Sequence, residues 1–180
     1  MNALSPVQKK FILHWGEMGT RWGISRTVAQ IHALLYISAE ALPADEIVRL
    51  LEVARSHVST SIRELQNWGI IRVVHKIGDR RDHFESMHDV WEMFRVIVEE
   101  RRKREIDPTL ALLRECRDEA EREKGADSVT REKLGALLEF FETTTTWYEQ
   151  MRRVPTKVAI QLLKQGDRIL KVLLPRKSAG

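Results

Sequence analysis

Two neighbouring arginines, in the run Gly78-Asp79-Arg80-Arg81-Asp82, are the residues of this 180-residue chain whose type and spacing most directly suggest chemistry. Glycine followed by aspartate favours a hairpin turn, so both guanidinium groups would stand at its tip. There an arginine can reach a narrow minor groove or its flanking phosphates, and Asp79 and Asp82 would orient the pair. A second set lies upstream. If Val58, Ile62 and Leu65 face a core, the 100° step of a helix puts Ser56, Thr60, Arg63 and Asn67 on the opposite side, flanked by His57, Ser59 and Glu64. Such a short, polar, partly cationic face fits a major groove about 12 Å wide, where residues of the helix start meet base edges. Arg55 at the start of that helix and Lys76 before the turn complete the set of expected DNA contacts: Arg55, Ser56, His57, Ser59, Thr60, Arg63, Lys76, Arg80 and Arg81. Either feature alone is also what a solvated helix face or a charged turn looks like; together they point to duplex DNA.

The charge distribution agrees. The chain carries a formal net charge of +4, and two stretches concentrate it. Between Arg55 and His83 six Lys or Arg residues face three acidic ones, and between Gln150 and Lys177 eight face only Asp167. A polyanion partner suits such patches, although many basic proteins bind no nucleic acid.

The elements that must position these residues are mainly helical, because apolar residues recur at helical spacing nearly everywhere. In the first helix Phe11, Trp15, Met18 and Trp22 form a stripe, while Gly16, Gly19 and Gly23 recur beside it. Glycine costs about 1 kcal/mol against alanine inside a helix, which suggests a close packing partner. Ser25 is placed to cap a second helix carrying Val28, Ile31, Leu34 and Leu35, and Pro43 to open a short third one with Ile47, Leu50 and Leu51. A tight turn at Val53 and Ala54 leads into the helix of Val58, Ile62 and Leu65, which ends at Gly69. Short helix, tight turn and second helix make a helix-turn-helix. Only Ile70 to Ser86 reads as strand: a β-branched run to Ile77, the turn, and a second short strand from His83 to Ser86, together a candidate wing. Further helices are expected at about Asp89 to Ile106, Pro108 to Lys124, Thr130 to Arg153 and Thr156 to Leu174, broken by Pro108, by Gly125-Ala126-Asp127-Ser128 and by Pro155.

The motifs Val58-Ser59-Thr60-Ser61-Ile62-Arg63-Glu64-Leu65-Gln66-Asn67-Trp68-Gly69-Ile70-Ile71, Gly78-Asp79-Arg80-Arg81-Asp82-His83-Phe84 and Asp89-Val90-Trp91-Glu92-Met93-Phe94 resemble the GbsR branch of the MarR-type regulators. Trp15-Gly16 and Trp22-Gly23-Ile24-Ser25-Arg26 are similar to the same branch's early region, and the likeness runs from Phe11 to about Pro108. It implies a dimeric winged-helix repressor or activator whose first and last helices build the dimer. Two departures stand out: Ala54 occupies the place of a capping serine, and Glu85-Ser86-Met87 lacks the Leu-Thr and glycine of typical MarR wings. The expected fold class is mainly α with a small β-wing: a winged helix-turn-helix DNA-binding lobe plus a helical dimerisation region. Its expected divisions are an N-terminal dimerisation helix at 1–24, the DNA-binding domain at 25–88, and a helical linker and C-terminal dimerisation region at 89–180.

Some members of the branch sense quaternary ammonium osmolytes, which ring faces attract by about 2 kcal/mol or more when desolvated. Trp15, Trp22 and Trp91 are the candidates for such a small-molecule effector, with Trp147 and Tyr148 also available; each equally suits a core or an interface. An enzyme lacks support. The six histidines form no metal-ligand pattern with one another or with Cys116, the lone cysteine, and no glycine-rich phosphate loop or nucleophile elbow exists. No cofactor or metal is expected. The longest apolar runs fall far short of the roughly 20 residues of a membrane helix, and the N-terminus has no signal pattern, so a cytoplasmic protein is expected. One rival stays open, a winged-helix module that docks a protein without operator binding; the last helix, whose Lys157, Gln161, Lys164, Arg168 and Lys171 face could also lie on a membrane, is expected instead to flank a dimer, and no membrane partner is expected.

Overall fold

The computed structural model describes residues 3–122 and 127–173, with side chains through residue 166. Gly125, Ala126, Leu174, Arg176 and Lys177, and the side chains of Arg168, Leu170 and Lys171, therefore lie outside the described residues. The chain forms two compact units, residues 1–100 and 101–180.

In the first unit α1 (Pro6–Arg21) starts at a capping box: Gln8 N–H donates to Ser5 Oγ and Ser5 N–H to Gln8 Oε1. Its buried positions are Ile12, Gly16 and Gly19, a face of small residues that lets α2 (Arg26–Ile37) approach closely. The close partner expected for the glycines is thus α2 for Gly16 and Gly19, whereas Gly23 lies beyond α1 at φ +76° with no atom packed against it. Ser25 stands at the α2 N-cap but makes no side-chain capping bond, contrary to the expectation from sequence. Helix α2 is the hub: Ile31, Leu34 and Leu35 are fully buried and meet Ile47 of α3 (Ala44–Leu51) and Val58, Ile62 and Leu65 of α4 (Arg55–Asn67). Burying each such side chain contributes about 1.5 to 3 kcal/mol. The turn between α3 and α4 passes through Glu52 at φ 54°, a left-handed conformation that reverses the chain in few residues.

The sheet has the order β1-β3-β2, all antiparallel: β1 (Leu42–Pro43), β2 (Ile71–Val74) and β3 (His83–Ser86). Nothing in the sequence pattern marks a strand before Ile70. Leu42 nevertheless pairs with Phe84 and Pro43 with His83, and two residues are too few to show an alternating pattern. The strand expected to reach Ile77 stops at Val74, beyond which Ile77 is fully exposed. Helix α5 (Val90–Arg101) closes the unit through buried Met93.

In the second unit the expected break at Pro108 is absent. Residues Arg102–Ile106 form a π turn that runs directly into α6 (Asp107–Arg122). Proline lacks the N–H and crowds the carbonyl four residues back; the wider turn, in which Asp107 N–H bonds the Arg102 carbonyl, makes room for it. Helix α7 (Ser128–Arg152) begins at Asp127, whose carboxylate accepts from the backbone of Val129 and Thr130. Leu110 and Leu113 of α6 and Leu138 of α7 make a second, smaller core. Helix α8 (Thr156–Leu173) follows.

Candidate nucleic-acid interface

Burial of Val58, Ser61, Ile62 and Leu65 fixes the rotation of α4. Arg55, Ser56, His57, Ser59, Thr60, Arg63 and Asn67 are then all exposed, as the helical spacing predicts. Arg55 and Arg63 make no ion pair among the described residues, so both are free to meet phosphate or base. The helix start also points its unbonded backbone N–H groups outward, since Ala54 offers no side-chain cap.

In the wing Gly78 adopts φ +84°, which glycine alone takes without strain, and Asp79 N–H closes the turn on the Lys76 carbonyl. The two tip arginines differ. Arg80 is exposed and makes no ion pair among the described residues. Arg81 is fastened twice: its guanidinium donates to Asp79 (Nη2 to Oδ2, 2.6 Å) and to Asp45 of α3 (Nη1 to Oδ2, 2.8 Å). The bonds from Arg81 hold the Asp79 carboxyl well below the usual carboxylate range. Lys76 is likewise engaged, Nζ lying 2.9 Å from Glu40 Oε2. Asp82, expected to orient an arginine, instead lies 3.8 Å from His75.

Nothing local in the sequence singles out His83, yet it seats the tip. Its ring is buried, Nδ1 donates to the Arg81 carbonyl (2.9 Å), and Nε2 lies 3.4 Å from Asp79 Oδ2. Asp45 and Glu40 escape the sequence as well. Each stands 36 positions from its partner, and no local pattern reveals a bond across that distance.

Of the three candidate effector tryptophans, Trp15 lines a cavity. That cavity, of 160 Å³, is lined by Phe11, Trp15, His32, Ala33, Tyr36, Val90 and Met93. Trp22 packs edge-on against Trp15 at 6.0 Å but does not line it, and Trp91 stands outside, partly exposed. His32 is buried beside it, with Nε2 3.2 Å from the Met93 sulfur. Burial lowers its pKa to about 4, so the imidazole is neutral at neutral pH. Among the described residues no three His, Cys, Asp or Glu side chains are grouped to hold a metal ion. No described helix is long and apolar enough to cross a membrane.

A helix-turn-helix followed by a two-stranded hairpin defines a winged helix-turn-helix. Residues 17–82 match the MarR family. Over 140 residues the chain is 19% identical to the HTH-type transcriptional repressor GbsR of Bacillus subtilis (strain 168), a match covering 76% of this chain and 77% of that protein. Among solved structures it is similar to a transcriptional regulator (19% identity, TM-score 0.46, 81% of this chain and 99% of that one). It is also similar to a mutant of S. aureus MepR bound to an oligodeoxyribonucleotide (12% identity, TM-score 0.38, 93% of each chain). Residues 17–82 thus resemble MarR-type transcription regulators both in sequence and in winged-helix architecture. The likeness to GbsR extends that resemblance beyond the family match, over 76% of the chain.

Proposed function

We propose that this protein is a DNA-binding transcription regulator of the MarR type and its GbsR branch, a cytoplasmic homodimeric repressor that reads a pseudo-palindromic duplex operator, with α4 in the major groove and the wing at the adjacent minor groove. One observation carries the reading: the α4 face of Arg55, Ser56, His57, Ser59, Thr60 and Arg63 is uncovered while its opposite face is locked into the core. The helix can therefore enter a groove without repacking the lobe. In this reading Ser56, His57 and Thr60 meet base edges, Arg55 and Arg63 grip phosphate or guanine, and Arg80 reaches the minor groove. Lys76 and Arg81, paired with Glu40 and Asp45, steady the wing beside the DNA.

Repression rests on the likeness to GbsR, whose name states that role. Dimerisation is supported by apolar side chains left exposed in each unit: Val7 and Leu13 on α1, Leu162 and Leu163 on α8. Apolar groups so placed favour burial against a second copy. The effector site in this reading is the cavity at Trp15, where a ring face and a neutral His32 favour a compact ligand of low polarity.

Selection of bound fragments from random duplex DNA tests the reading directly. We expect enrichment of a two-fold motif with half-site centres about 10 base pairs apart or a multiple. Substitution of Ser56, His57 or Thr60 should then shift the preferred base at one position, a change of about 1 to 3 kcal/mol. No enrichment, or a monodisperse monomer that binds the motif tightly in light scattering, overturns it.

A further inference from the structure

The eight residues from His75 to Asp82 extend beyond the last paired positions of β2 and β3, so no strand ladder holds them to the body of the lobe. Two ion pairs do. Lys76, on the arm leaving β2, bonds Glu40, and Arg81, on the arm entering β3, bonds Asp45. Glu40 and Asp45 bracket β1, which is itself paired to β3. Both arms of the wing are thus tied to one short segment, the one that leads from α2 into α3.

We infer that Glu40 and Asp45 are positioning residues for DNA binding: two carboxylates that clamp the wing so that Arg80 is presented in register with the α4 face. The inference rests on the DNA reading above. It runs against the sign of their charge, because an acidic group near a polyanion repels it. It also differs from the ordinary role of Asp45 in the first turn of α3, where a carboxylate merely favours the helix N-terminus. A clamp affects where the arginine points; a helix partner affects only stability; plain repulsion affects every duplex alike. All four side chains are solvated, Glu40 at 78% and Asp45 at 50% exposure, so the clamp is weak and screened by salt. Positioning, unlike folding, needs no more than that.

The test compares Asp45→Asn and Glu40→Gln with the unaltered protein. Each variant's affinity is measured for the duplex enriched by selection and for random duplex of equal length, at low and moderate salt. A clamp predicts that each variant binds random duplex as well as or better than the unaltered protein. The ratio of selected to random affinity falls by about two- to fivefold, the range one exposed ion pair supplies. Asp45→Glu, which keeps the carboxylate, restores the ratio, and the loss shrinks as salt rises. Because Glu40 lies in the loop before β1 and Asp45 in the first turn of α3, a folding defect in one leaves the other as a second measurement. If both variants bind both duplexes more tightly by the same factor, repulsion alone is at work and the clamp is wrong. If the unaltered protein enriches no duplex, the DNA reading itself has failed, and the clamp falls with it.

Discussion

Gly19 of α1 and Ala29 of α2 leave no room for another carbon between them: a Cβ placed on Gly19 would stand 2.4 Å from the Ala29 Cβ. A Cβ on Gly16 would meet instead the Gln30 side chain, at 2.6 Å from its Cγ, and that flexible chain can move aside. Gly19→Ala should therefore destabilise the first unit by about 1 to 3 kcal/mol through overpacking. Gly16→Ala should be neutral or stabilising by up to about 1 kcal/mol, from helix propensity. Denaturant midpoints of the two variants check this, and equal losses would remove the argument for close contact at Gly19.

His32 supplies a pH prediction. Its folded pKa, about 4, lies below the ordinary histidine value of 6.5, so the unfolded chain takes up a proton first as pH falls. Stability linked to His32 is complete above pH 6.5 and is lost between there and pH 4, by about 3 kcal/mol in all. The upper part of that window precedes the range of the depressed carboxylates of Glu40, Glu46 and Asp79, whose contributions fade only at lower pH. His32→Leu should flatten the fall of the urea midpoint between pH 6.5 and 5. A slope unchanged by the substitution would mean that another group drives it.

The unequal pairing of Arg80 and Arg81 makes their variants distinguishable. Arg80→Ala should lower the salt slope of binding by about one counterion, as expected when one phosphate contact is lost. Arg81 is already balanced by Asp79 and Asp45, so Arg81→Ala should leave the slope nearly unchanged while weakening discrimination among sequences. A larger change in slope for Arg81→Ala would reverse the assignment of the two residues.

Ala54 occupies the N-cap of α4 with extended backbone (φ −61°, ψ 140°) and no capping bond. Ala54→Ser should add that bond and stabilise the lobe by about 1 kcal/mol. Thermal unfolding reads the gain directly; a fall in midpoint would show that the backbone there cannot accept a capping side chain.

Helix α4 was legible because Val58, Ile62 and Leu65 recur at a spacing only a helix can bury on one side, and the core did bury them. The strand His83–Ser86 and the turn at Gly78 were legible for the same reason: residue type near the turn dictates backbone shape. The glycines of α1 announced a close neighbour but could not name α2. What escaped was non-local. Strand β1 has no pattern of its own and exists because β3 has a free edge beside it. The bonds of Asp45 and Glu40 depend on the fold bringing distant positions together. Pro108 shows the opposite limit, a strong local rule overruled by a π turn that relieves the clash the rule assumes.

The central place of β3 bears on the order in which the lobe assembles. Its edge toward β2 joins residues separated by an eight-residue loop, a closure of the kind hairpins complete in about 1 to 10 μs. Its edge toward Leu42 and Pro43 spans the whole of α3 and α4, so it forms only once that longer loop has shut, at higher entropic cost. The hairpin is therefore an early event and its docking a late one. Opening runs the same path backwards: the wing detaches from the body as an intact hairpin before it unzips, and backbone amides at the β1 edge exchange with solvent sooner than those between β2 and β3.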